Sequence, residues 1–165
     1  VPGALDLEKK AEDAREVVLA LSANYERGIF GLMAGAYMRY FEDADGNKSD
    51  YDDGWEYVVA ARPIFFIHKY FHQAAEISWQ GRRPNGLNPR TQTHLVPNAF
   101  KFSLIPTLSW DKGSYSRPHI RFIYTLTYLD EAARVLFPKE DPRYGEATHH
   151  FMGVQVEWWF NSSYR

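Results

Sequence analysis

The sequence contains no cysteine. A disulfide scaffold, cysteine-ligated zinc, an iron–sulfur site and a thiol nucleophile are therefore excluded. Freedom from cysteine is also compatible with an exported bacterial protein. There is no basic excess: 19 Lys and Arg stand against 21 Asp and Glu, a formal net charge of −2. That is no electrostatic footprint for a nucleic-acid binder, and nucleic acid is not expected as a partner. No run of about 18 apolar residues occurs, so no transmembrane helix is expected. Residues 1–10 have neither the basic start nor the apolar stretch of a signal peptide. No G-x-S-x-G element, H-E-x-x-H pair or P-loop occurs. The expectation is a protein that is not an enzyme and carries no cofactor and no metal.

What is abundant is aromatic. Eleven Tyr, eleven Phe and five Trp make up 16% of the 165 residues, enough chain for one domain spanning 1–165. Apolar residues recur with period two. Val17, Leu19, Leu21 and Ala23 alternate with Glu16, Val18, Ala20 and Ser22. Leu32, Ala34, Ala36, Met38 and Tyr40 alternate with Gly31, Met33, Gly35, Tyr37 and Arg39. Trp55 to Phe65, Phe71 to Trp79 and Phe100 to Trp110 behave alike. The clearest run sets Ile120, Phe122, Tyr124, Leu126 and Tyr128 against Arg117, His119, Arg121, Thr125 and Thr127. Met152, Val154, Val156, Trp158 and Phe160 close the series against Gly153, Gln155, Glu157 and Trp159. A helix, turning 100° per residue, would scatter these polar residues; strict alternation argues β-strand.

About seven strands follow, each long enough for the roughly 9–11 residues of a tilted membrane strand. Short turns near 26–28, 69–70 and 111–114 alternate with long polar loops at 42–54, 81–97 and 130–148. Outer-membrane barrels join their strands this way. Aromatic strand ends such as Trp55, Tyr57, Trp79, Tyr124, Tyr128 and Trp158 suit interfacial girdles; in a soluble sandwich they would be core. Seven strands left open would expose two bare edges to lipid, which is not viable. The expectation is an all-β, antiparallel transmembrane β-barrel, of which this chain is one part.

Three stretches resemble the maltoporin family, the sugar-specific porins of Gram-negative outer membranes. Gly113-Ser114-Tyr115-Ser116-Arg117-Pro118-His119-Ile120-Arg121 is similar to the opening of that family's penultimate strand. Phe151-Met152-Gly153-Val154-Gln155-Val156-Glu157-Trp158-Trp159-Phe160 is similar to its last strand. Ala60-Ala61-Arg62-Pro63-Ile64 echoes an Arg-Pro strand earlier in the barrel. The resemblance implies that residues 1–165 are the C-terminal segment of a single eighteen-stranded barrel domain. It also implies a homotrimer in the outer membrane, surrounded by lipid, through which sugars diffuse along a slide of aromatic side chains.

The chemistry of such a slide is simple. A pyranose has apolar C–H faces and a hydroxylated rim; aromatic faces meet the first, and charged and amide groups bond the second. By the resemblance, Tyr115 and Trp159 stand at slide tryptophans. Parity puts Tyr115 on a face with Arg117, and Trp159 with Gln155 and Glu157. The expected sugar-contacting set is Tyr115, Trp159, Arg117, His119, Arg121, Gln155 and Glu157. Tyr115 departs from the family by replacing Trp, with less stacking area and an added hydroxyl, and residues 161–165 continue past the terminal aromatic.

Other readings stand beside these. Arg39, Arg62, Lys101, Arg117, His119 and Arg121 either offer donors to sugar hydroxyls or pair across strands with Glu56, Glu76 and Glu157. The acidic stretch from Asp43 to Asp53 has its Gly misplaced for a calcium loop and reads as solvated. His149 and His150 are adjacent and would point to opposite faces. A porin without sugar selectivity, a soluble β-barrel binding protein and, last, a barrel enzyme are the alternatives.

Overall fold

The computed structural model describes residues 14–43, 51 and 53–159. Seven antiparallel strands form one sheet in sequence order: β1 (Arg15–Arg27), β2 (Phe30–Glu42), β3 (Gly54–His68), β4 (Phe71–Pro84), β5 (Asn98–Ser109), β6 (His119–Leu129) and β7 (Thr148–Glu157). A single helical turn, α1 (Glu131–Arg134), interrupts the last long loop. Strands of 10 to 15 residues are long for a soluble protein and suit a tilted membrane crossing. Among the described residues β1 and β7 pair on one side only, so the sheet is open.

Every neighbouring pair forms a hairpin. The β1–β2 turn is two residues, with Gly28 at φ +62°, the sign that the first central position of a type II′ turn requires. The acidic stretch read as a solvated loop falls largely on residues outside those described, as do residues 1–13 and 160–165.

Register puts the expected residues on two faces. The apolar set of every strand shares one face, and no second layer covers it among the described residues. Leu19, Leu21, Val59, Leu104, Phe122, Met152 and Val154 all lie exposed there. Aromatics flank this band at both heights. Tyr40, Trp55, Tyr57, Trp79, Phe100 and Tyr128 stand toward the long loops, with Tyr40 on Trp55 at 4.7 Å and Tyr57 on Trp79 at 5.0 Å. Tyr25, Tyr70, Trp110 and Trp158 stand toward the turns. Phe100 on β5 and Trp110 just past its end are ten residues apart. At about 3.3 Å per residue and a barrel tilt of roughly 40°, that is about 25 Å, the height of a lipid-facing band.

The tightly packed residues are on the opposite, polar face. Its two small apolar clusters were not visible as such in the alternation. One joins Ile64, Phe66, Ala74 and Ile105 with Met33 and Ile123; the other joins Ala99 and Leu129 with Ala133 and Phe137. Side chains on the inside of a curved sheet crowd one another, so even an apolar residue there is shielded.

The third short turn is corrected. β5 ends at Ser109 and β6 begins at His119, so the connection spans 110–118 rather than 111–114. Tyr115 and Arg117 therefore lie in this connection, and strand parity does not place them. Pro118 supplies no N–H for a ladder, and the serine hydroxyls here bond to loop carbonyls instead: Ser116 Oγ donates to Asp111 O at 2.7 Å. β4 likewise runs on to Pro84, taking Arg82 and Arg83 out of the predicted loop.

Candidate functional site

Three carboxylates of the polar face, Glu56, Glu76 and Glu157, are each met by arginines. Register sets Arg62 directly opposite Glu76, and the two pair at 2.5 Å. Toward the long loops Glu56 lies between Arg39 and Arg82, at 3.4 and 3.8 Å, and Arg39 also reaches Glu16 at 2.9 Å. Both guanidinium groups stand over the buried Phe41 ring, at 4.8 and 5.1 Å. Toward the turns Glu157 receives Arg117 at 2.7 Å and Arg121 at 2.8 Å. Cross-strand pairing thus accounts for Arg39, Arg62 and Arg121, and Arg117 joins from the connection. Arg82 is a member of the ladder that alternation missed, because it stood at a strand–loop border.

Six of the seven expected sugar-contacting residues converge around Glu157. Arg121 donates to Gln155 Oε1 at 3.3 Å and lies 3.0 Å from His119 Nδ1, while Ser116 Oγ lies 3.1 Å from His119 Nε2. His119 is 3% exposed, with both ring nitrogens engaged. Arg117 also donates to Ser114 O at 3.1 Å and Ser116 O at 2.7 Å. Trp159, just past β7, donates its indole N–H to Glu157 at 3.1 Å, and the Arg117 guanidinium stands 4.3 Å over its ring. Trp159 remains 54% exposed. The cluster is therefore an aromatic surface backed by satisfied charges.

Tyr115, the seventh, is elsewhere. Equally exposed at 54%, it borders a groove of about 300 Å³ with Asn24, Met33, Ala60, Arg62 and Glu76. Small residues at Ser22, Gly35 and Ala60 leave the room. The structure thus presents two aromatic surfaces, each beside an arginine–carboxylate pair.

At the other end the last long loop folds over the polar face. Asp130 caps α1 by accepting from Ala133 N at 2.8 Å, and its other oxygen accepts from Asn98 N and Nδ2, both at 2.9 Å. Phe137 packs on His149 at 5.7 Å, whereas His150 meets Tyr124 on the far face, its Nδ1 2.9 Å from the hydroxyl. Arg90 bonds to Val135 O and ties two long loops together. Farther out, hydrogen bonds from Arg143 hold the Asp141 carboxyl down to about 2. Among the described residues no three His, Asp or Glu side chains gather closely enough to hold a metal.

The family model described as LamB porin matches residues 3–160 of this chain. No curated protein and no solved structure matches it.

Proposed function

We propose, because the chain belongs to the LamB porin family, that it forms the C-terminal wall of a Gram-negative outer-membrane channel for facilitated diffusion of sugars. The family assignment carries this reading. The exposed apolar band between two aromatic girdles supports it, since such a band suits lipid and would be costly in water. The open edges of β1 and β7 are met by further strands of one eighteen-stranded barrel domain, of which residues 1–165 are the C-terminal part, and three such barrels form a homotrimer. The channel performs no covalent chemistry and needs no cofactor.

In this reading Tyr115 and Trp159 are the stacking surfaces for the sugar ring. Arg121, Gln155 and Glu157 bond the hydroxylated rim, and Arg117 and His119 hold that wall in place. Many weak contacts in series let an oligosaccharide move on rather than stay bound. One observation favours a porin without sugar selectivity: the arginines of the Glu157 cluster already have partners, which limits what they offer a ligand.

Single-channel conductance of the intact porin in a planar bilayer, titrated with maltooligosaccharides and sucrose, tests the proposal. Saturable block by a sugar is expected. Open channels with no response to either leave a porin of other selectivity, and failure to form channels from protein that stays in solution without detergent overturns the membrane reading.

A further inference from the structure

Glu26 is the last residue but one of β1, and Ser114 lies between β5 and β6, so three strands separate them in the sheet. Yet the backbone N–H and the hydroxyl of Ser114 both donate to Glu26 Oε2, at 3.0 and 2.9 Å. The 110–118 connection therefore does not hang off the end of its hairpin. It crosses the polar face from β5 toward β1, and Ser114 is buried in doing so.

The ground beneath the crossing is shaped for it. Gly31 is opposite Glu26 in register, and a Cβ there would stand 3.1 Å from the Phe66 ring and 3.3 Å from Ser114 Oγ. Phe66 in turn meets His72 edge-on at 4.9 Å. At the other flank Arg117 pins the same connection to Glu157 on β7 at 2.7 Å, and donates to Ser114 O and Ser116 O. Inside it, Ser116 Oγ bonds to Ser109 Oγ at 2.6 Å and to Gly113 O at 3.0 Å. The strap has two side-chain anchors on opposite sides of the sheet, and Tyr115 lies between them, next to Ser114.

We infer that Glu26 is a positioning residue for sugar passage. Its carboxylate holds the strap across the channel wall, fixing where the Tyr115 ring meets a passing sugar and how far the strap fills the turn end of the opening. An ionised carboxylate accepting two donors suits the task, because charge-assisted hydrogen bonds are short and strong. The inference rests on the sugar-channel reading above.

The test is sugar block and open conductance of the intact porin for the wild type, Glu26→Ala and Glu26→Gln, each with and without Tyr115→Ala. Glu26→Ala is expected to weaken block about three- to tenfold, the worth of one aromatic contact, and to raise conductance. Glu26→Gln, which keeps a carbonyl oxygen for Ser114, restores most of the block. With Tyr115 already removed, Glu26→Ala adds little. Block unchanged by Glu26→Ala, or weakened equally in both backgrounds, overturns the inference. A wild-type channel that no sugar blocks overturns the sugar reading itself and is seen before any substitution. Should Glu26→Ala not assemble, Ser114→Ala, which removes one of the two donors to Glu26, is expected to weaken block where Tyr115 is present and to add little where it is absent. Equal weakening in both backgrounds, or none in either, overturns the inference.

Discussion

Ser103 and Leu104 are neighbours on β5, yet the serine is 5% exposed and the leucine 42%. The same inversion runs through the middle of the sheet: His72, Ser78, Thr107 and His119 are buried, while Val59, Trp79, Phe100 and Phe122 stand open. In water this would forgo about 1.5–3 kcal/mol for each large side chain left uncovered. In a bilayer the lipid covers the apolar face, so close packing is needed only on the inside of the curve. There charges must be met by opposite charges or by water, and the arginine–carboxylate ladder pairs its own.

The hardest way to break that contrast is to move a charge across it. Leu104→Arg places a guanidinium near the middle of the lipid band and is expected to cost about 2–4 kcal/mol. Lys101→Arg, on the polar face of the same strand, should stay within about 0.5 kcal/mol. Equilibrium unfolding from lipid vesicles measures both. A similar cost for the two would mean that the faces have been assigned the wrong surroundings.

Within the polar face, the ladder ranks its own rungs. Glu157→Gln leaves Arg117 and Arg121 without their shared carboxylate and is expected to lose about 1.5–3 kcal/mol. Glu76→Gln, whose pair with Arg62 is more exposed, should lose about 1 kcal/mol or less. The same unfolding titration separates them, and a larger loss at Glu76 would reverse the ranking.

For passage, the sharpest comparison is between adjacent tryptophans. Trp159→Ala is expected to weaken sugar block by up to about tenfold, as the loss of one stacking surface would. Trp158→Ala, on the lipid side of the chain, should leave block unchanged. Equal effects in single-channel recordings would remove the directional argument.

The smallest effect lies outside both faces. Arg143 holds the Asp141 carboxyl down to about 2, below its usual value near 3.8. A depressed pKa stabilises the folded loop above the ordinary value, and that contribution fades as pH falls from about 4 through about 2. Carboxylate titration by NMR should place Asp141 near 2, and Arg143→Ala should return it toward 4.

Much of this was legible in the order of residues. Alternation from Val17 to Val156 located seven strands and sorted their faces, because a strand places successive side chains on opposite sides whatever surrounds it. Turn and loop lengths made the hairpins. The Glu157 cluster was foreshadowed, since Arg121, Gln155 and Glu157 stand at period-two positions of neighbouring strands. Tyr115 and Arg117 were singled out by the motif around them, but strand parity does not place them: β6 begins only at His119, after Pro118.

What the amino-acid sequence determined by itself is local: strand, face, turn and the residue types offered to each side. What only the tertiary structure decided is long-range. No periodicity connects Glu26 with Ser114, 88 residues apart, or lays α1 on Ala99. Those contacts depend on the curvature of the sheet and the path of its connections, which bring distant strands and loops within reach. The same curvature turned Ile64, Phe66 and Ile105 from exceptions on a polar face into its packed interior.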